Sequence, residues 1–95
     1  MTKRMSLASR VELSDQVMFR ALQNEGLLLD LRTGTYFGLD STGSEIVRLL
    51  EEDLSLPEIA DYLLSKFDVN RARCETDLLQ FVELLLSKDF VRIRG

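Results

Sequence analysis

From residue 17 to residue 39 the apolar positions alternate with a period of two, interrupted only by short polar turns. "VMFRAL" (17–22) sets Val17, Phe19 and Ala21 on one face and Met18, Arg20 and Leu22 on the other. "QNEG" (23–26) carries the Asn and Gly of a turn. "LLLDL" (27–31) puts Leu27, Leu29 and Leu31 on one face, with Leu28 and Asp30 opposite. "RTG" (32–34) is a second turn, with Gly34 available for positive φ. "TYFGL" (35–39) groups Thr35, Phe37 and Leu39 against Tyr36 and Gly38. Three short strands joined by tight turns predict an antiparallel meander. Ahead of them, residues 1–10 are polar, basic and aperiodic and read as a disordered tail. The domain then occupies 11–95, with "VELSDQV" (11–17) as a loose lead-in.

After residue 40 the period changes to that of helices. "DSTGSE" offers Ser41 or Thr42 as N-cap, and the helix runs through "EIVRLLEE" with Ile46, Leu49 and Leu50 on one face. "SLPEIADYLLSKF" (55–67) opens a second helix. Ser55 caps it, Pro57 is tolerated in the first turn, and Glu58 completes a capping box. Its buried stripe is Leu56, Ile59, Ala60, Leu63 and Leu64. "DVN" (68–70) breaks it, and "RARCETDLLQFVELLLSKD" (71–89) forms the third and longest helix. "FVRIRG" ends the chain as a short extended tail in which Phe90, Val91 and Ile93 can pack. The expected class is α+β.

Two features carry more than structure. Cys74 and the apolar residues from Leu78 to Leu86 cover roughly 220° of the third helix, at about 100° per residue, more than a one-sided surface helix needs. One reading is a central helix buried on both sides. The other is that a flank holding Asp77, Phe81 and Leu84 lines a groove for an apolar partner. The third strand offers the matching half. A meander leaves its outer strands with unpaired N–H and C=O groups, and "TYFGL" has no Pro, Lys or other charge to blunt its edge. A peptide adding there would gain main-chain bonds, with side-chain pockets giving sequence choice. The alternatives are that the N-terminal tail or a second copy of the chain covers this edge.

Composition narrows the classes. The 95 residues are 45% hydrophobic and 29% charged, ordinary values for one small globular domain. The net charge of −4, with basic residues scattered, disfavours a nucleic-acid partner. No apolar run is long enough to span a bilayer and no signal-peptide core is present, so a cytoplasmic protein without a membrane partner is expected. The absence of histidine removes the commonest acid–base group and metal ligand, and one cysteine cannot build a thiolate metal site. No cofactor or metal is expected. An enzyme using the Cys74 thiol would need an activating base, and none is evident.

In order, "GLLLDLRTGTYFGLDSTGSEIVRLLEED", "SLPEIADYLLSKFDVN" and "DLLQFVELLLSKDFV" resemble the PqqD family, over about Val11 to Val91. "SKDFV" replaces the glycine often seen in the last segment, so the exit of the third helix is expected to differ in detail. The resemblance implies a winged helix-turn-helix-like domain of three strands and three helices. It also implies a non-catalytic adaptor. Such domains bind the leader segment of a ribosomally made precursor peptide and present it to a modifying enzyme. That enzyme is a radical S-adenosylmethionine protein in pyrroloquinoline quinone assembly and a leader peptidase in lasso-peptide systems. In the family the leader lies as an added strand against the third strand, in its cleft with the third helix. Carried onto this chain, the contacts fall on Thr35, Tyr36, Phe37 and Gly38, and on Asp77, Phe81 and Leu84, with Arg73 as a charge contact. Phe37 and Leu39 share a face and read alternatively as core, which leaves Tyr36 the better exposed contact. The rival function is a winged-helix DNA-binding regulator, for which Lys66, Arg71, Arg73 and Gln80 sit among too many acids. An unblunted edge also allows a homodimer through the third strand.

Overall fold

The computed structural model describes residues 6–94. In chain order the elements are β1 (Val11–Leu13), β2 (Val17–Ala21), β3 (Gly26–Asp30), β4 (Thr35–Leu39), α1 (Ser41–Glu51), α2 (Leu56–Lys66), α3 (Arg71–Ser87) and β5 (Val91–Ile93). β2, β3 and β4 form the expected antiparallel meander in that order, and three helices follow it in an α+β fold. The turn into β4 is closed by the Gly34 N–H donating to the Asp30 carbonyl at 2.7 Å, with Gly34 at φ 74°. That is the left-handed conformation for which glycine suits the position.

The meander buries the face of β3 that carries fewer leucines. Gly26, Leu28 and Asp30 point inward and are buried. Leu27 and Leu29 are half-buried on the outer side, where Leu31 is 51% exposed. The cause lies at Gly26. A Cβ there would stand 2.7 Å from Ser44 Oγ on α1 and 2.9 Å from a Phe19 ring carbon. Only glycine fits that close approach, and a period of two then sends Leu28 and Asp30 to the same side. Leu28 sits between Phe19 and Phe37 in the register and is 0% exposed. Met18 and Tyr36 flank Leu29 on the outer face, at 49% and 69% exposure.

Asp30 is a carboxylate with 5% exposure, and it is satisfied locally. Its Oδ1 accepts from the Arg32 backbone N–H at 2.9 Å and from Nε at 3.1 Å, and Oδ2 accepts from Nη2 at 3.0 Å. Arg32 Nη2 also donates to the Asp89 carbonyl at 3.2 Å, which ties the β3–β4 turn to the end of α3.

β1 and β5 are strands that the sequence pattern does not predict. The lead-in and the C-terminal tail pair antiparallel as a separate two-stranded sheet, with Val11 opposite Ile93 and Leu13 opposite Val91. Three-residue strands from opposite ends of the chain leave no local period to read. Arg92 and Arg94 both reach Glu12, at 2.6 and 2.8 Å, and fasten this pair. Of the expected tail, residues 1–5 lie outside the described residues. Residues 6–10 hold a turn in which the Ser9 N–H donates to the Ser6 carbonyl at 3.0 Å, and Leu7 packs against the core.

α1 is capped by Asp40, whose Oδ1 accepts from the Gly43 N–H at 2.7 Å, and not by Ser41 or Thr42. A carboxylate is a strong acceptor at the positive end of a helix, so the boundary falls one residue earlier. α2 shows the Ser55–Glu58 capping box, and Asn70 caps α3 through the Arg73 N–H. α1 and α3 both leave through a left-handed residue, Asp53 at φ 64° and Asp89 at φ 62°. After each, the next N–H returns to a carbonyl five residues back, Leu54 to Leu49 and Phe90 to Leu85. Asp89 therefore keeps the exit that glycine would favour. The core joins Leu28 to Val47, Ile59, Leu78, Val82 and Leu85. On α3 it takes the stripe Cys74, Leu78, Val82 and Leu85, while Phe81 is half-buried and Leu84 exposed. The wide apolar arc is thus a central stripe with one open flank.

Leu28→Ala is expected to cost about 2–5 kcal/mol in urea-unfolding experiments, because a cavity would open among residues from two layers. Asp30→Asn is expected to lower stability at neutral pH, with a gap to wild type that closes in acid. The Arg32 guanidinium and backbone N–H hold the Asp30 carboxyl below its ordinary value of 3.8 against the opposing effect of burial. The unfolded state then binds more protons in acid. The pair's contribution is full above 3.8 and disappears as pH falls through the lower folded value. A pH series of thermal unfolding midpoints checks it.

Candidate functional site

β4 pairs with β3 along one side only, so its other edge is open among the described strands. α1 begins directly after it, and α3 stands across from it. Phe37, Gly38 and Leu39 of β4 share with Asp77, Leu78 and Phe81 of α3 the lining of a cavity of about 440 Å³. Ile46 and Leu63 extend its apolar wall, and the exposed Phe67 and Val69 stand at its rim. Gly43, in the first turn of α1, makes the close approach of Phe81 possible, since a Cβ there would lie 3.1 Å from the Phe81 ring. A second, shallower depression of about 580 Å³ opens at the other end of β4. Arg32, Thr35, Tyr36, Phe37, Lys88 and Phe90 border it. Phe37 separates the two. Its ring meets Phe90 at 5.5 Å, and Lys88 Nζ stands 5.6 Å from its centre.

The expected contact residues divide accordingly. Phe37, Gly38, Asp77 and Phe81 come together in the first cavity, and Thr35, Tyr36 and Phe37 in the second, shallower one. Phe37 is half-buried and faces inward, so it serves core and cleft at once, while Leu39 is buried. Tyr36 is exposed and, through its pairing with Leu29, belongs to the outer face of the sheet. A Cβ at Gly38 would meet nothing within 4 Å, which leaves that stretch of edge open. Arg73 and Leu84 line neither cavity. Arg73 pairs with Asp77 at 3.4 Å on the surface, and Leu84 lies exposed on the same helix. Phe67, Val69, Arg32 and Lys88 join the site without a sequence signal that points to it. Phe67 reads as the end of the second helix and "DVN" as its break, and only the exposure of Phe67 and Val69 marks a rim.

The cleft is apolar between charged ends. Asp40 and Asp77 stand at the first cavity, and Arg32 and Lys88, beside Asp30 and Asp89, at the second. Cys74 reaches the first cavity, but it is buried, with Sγ 3.9 Å from the Ala60 carbonyl, and burial pushes the thiol up. That is the opposite of what a nucleophilic thiolate needs. Among the described residues no group of three or more acidic or cysteine side chains is placed to hold a metal ion. No helix among them is long and apolar enough to cross a membrane. The cations of α2 and α3 are engaged. Lys66 pairs with Glu45, Arg71 with Asp61 and Glu75, and Arg73 with Asp77.

Two solved structures share this architecture. "TbiB1 in Complex with the TbiA(beta) Leader Peptide" is 40% identical, with a TM-score of 0.81, over 88% of this chain and 95% of that one. "Lasso peptide synthetase B1 complexed with the leader peptide" is 26% identical, with a TM-score of 0.80, over 87% of this chain and 98% of that one. No curated protein sequence matches. The family described as coenzyme PQQ synthesis protein D matches residues 25–91, from the start of the central strand to the start of the last, and the chain therefore belongs to the PqqD family.

Proposed function

We propose that this protein binds the leader segment of a ribosomally made precursor peptide as a strand added to β4 and presents it to a modifying enzyme, catalysing no step itself. The observation that carries this reading is the open β4 edge beside an apolar cavity walled by Phe37 and Phe81. Main-chain groups on the edge supply affinity that is independent of sequence. The cavity takes an apolar guest side chain and supplies choice. Both structural neighbours are complexes with leader peptides, which supports the same class of guest here. The likeness to lasso peptide synthetase B1 favours a lasso-type system, whose enzyme would be a leader peptidase, over pyrroloquinoline quinone assembly with its radical S-adenosylmethionine partner. The adaptor acts in the cytoplasm on this reading. A DNA-binding role has no support, because the cations of α2 and α3 are held by neighbouring acids.

Presentation needs a second surface, and the outer face of the meander fits it. Met18, Leu22, Leu31 and Tyr36 are exposed there around the half-buried Leu27 and Leu29. An apolar patch of this kind on a small protein marks an interaction site. A leader added to β4 would extend that face by one strand, so the enzyme would meet adaptor and guest as one sheet.

Titrating the ¹⁵N-labelled protein with leader peptides, beginning with the TbiA(beta) leader, should move the amides of 35–39 and those around Asp77 and Phe81. Saturable shifts confined to other elements would overturn the site. Phe81→Ala should weaken binding about tenfold, or about 1.4 kcal/mol, while the rest of the spectrum stays folded. Sizing of the free protein would show whether a second copy takes the edge when no guest is present.

Met18→Asp, on the outer face of β2 and two strands from the β4 edge, should leave the leader Kd within about twofold and abolish stimulation of the partner enzyme. Equal loss of both would place Met18 in the leader site and refute a separate docking face.

A further inference from the structure

The apolar cleft carries carboxylates at one end and, at the other, the ammonium of Lys88, unpaired among the described residues, and the two elements that form it run in opposite directions. Asp77 of α3 lies with Gly38, Leu39 and Asp40 at the end where β4 finishes. Lys88, which caps the C-terminal end of α3, lies with Arg32 and Thr35 at the end where β4 starts. We propose that these ends read the direction and register of the guest strand, selecting a basic side chain beside Asp77 and an acidic one beside Lys88. The inference rests on the leader-binding reading and adds to it which charges the guest carries, and where.

Each end keeps charge or donors to offer. Asp77 has an exposed partner in Arg73 at 3.4 Å, with side chains 60% and 74% exposed. A pair that open to water is worth little, so an incoming cation can share or replace Arg73. Asp40 adds a second carboxylate to that end, although its Oδ1 already accepts from the Gly43 N–H. At the other end, Arg32 spends Nε and Nη2 on Asp30 and on the Asp89 carbonyl, and its Nη1 makes no hydrogen bond among the described residues. Lys88 Nζ forms no ion pair among the described residues and is poised over the Phe37 ring. Asp89 also borders this depression. Asp30 and Asp89 together balance Arg32 and Lys88, so this end has no net charge and the preference for an acid there depends on that unpaired Lys88 Nζ.

The spacing is set by α3. From Asp77 to Lys88 is eleven steps of about 1.5 Å, or about 16 Å along the helix. A strand covers that distance in about five residues. Alternate side chains face α3, so the base and the acid should be four or six residues apart. An antiparallel guest, the pairing the rest of this sheet uses, enters at the Asp77 end. Its base would then precede its acid in sequence.

A displayed library of random twelve-residue peptides, selected on the folded protein and mapped by amide shifts, tests this with no natural guest in hand. The expected result is enrichment of peptides that move residues 35–39 and carry Lys or Arg four or six positions before Asp or Glu around an apolar centre. On Lys88→Glu the acidic position should turn basic. A selected peptide should lose about fivefold in affinity on that variant, and recover when its own acid is changed to Lys. Both effects should shrink in high salt. Peptides that bind at β4 with no charge pattern, or that keep their affinity on Lys88→Glu, would overturn the charge reading and leave leader binding standing. Failure of any peptide to move β4 would overturn both.

Discussion

The close contact of Gly26 with Ser44 and Phe19 decides how the sheet meets the helices. A side chain at residue 26 would push β3 away from α1, so the strand must turn its glycine inward. Everything on β3 follows by alternation. Leu28 enters the centre of the core, and Asp30 is carried into a buried position where it requires Arg32. Arg32 in turn reaches the carbonyl of Asp89 and holds the end of α3 beside the β3–β4 turn. The spacing between β4 and the C-terminal end of α3 is thereby tied to one glycine and one buried carboxylate. The same alternation leaves the leucines of the opposite face outside, where Met18 and Tyr36 join them.

The open edge follows from the order of the chain. β4 is the last strand of the meander, and Asp40 caps α1 immediately after Leu39, so the chain turns into a helix without laying a further strand along it among the described residues. Proteins ordinarily blunt such edges with charge, proline or a bulge. β4 carries none of these, and Gly38 removes even the cover of a side chain. The chain stays well packed elsewhere, through the stripe Cys74, Leu78, Val82 and Leu85 and through the β1–β5 pair that joins its two ends. The surface ion pairs add little to this, being mostly half-exposed. Stability is concentrated in the core, and the cleft can be left unfilled.

The sequence is informative where neighbours along the chain determine the outcome. β4 and the capping box of α2 depend on local alternation and on Ser55 and Glu58, and both are legible. The breadth of α3 signals both a core stripe and an open flank. What is not legible depends on distant contacts. β1 and β5 have no period of their own, and each exists because the other end of the chain returns to it. Alternation puts Leu27, Leu29 and Leu31 on one face without saying which way it points, and the contact of Gly26 with Ser44 decides that it points outward. Phe81 and Asp77 can be placed on the cleft because helical spacing sets their direction. Arg73 and Leu84 lie off it because a few tens of degrees around the helix separate a wall from a rim. Lys88 falls on the same flank as Phe81, two turns further on, but a lone lysine carries no mark of an apolar cleft.

What a leader-binding adaptor of this kind offers its guest is geometry. Ordering a flexible leader costs conformational entropy, and that cost is smaller when the receiving edge and cavity are already formed. Here both are present in the free chain, with Phe81 seated against Gly43 and Phe37 against Phe90. A leader bound as a fourth strand would be held extended, with the segment beyond it projecting from one end of the sheet. The exposed apolar face would widen in the same event. An enzyme that recognised the widened face would engage the loaded adaptor in preference to the empty one, so peptide capture and delivery would be coupled through a single sheet with no moving part.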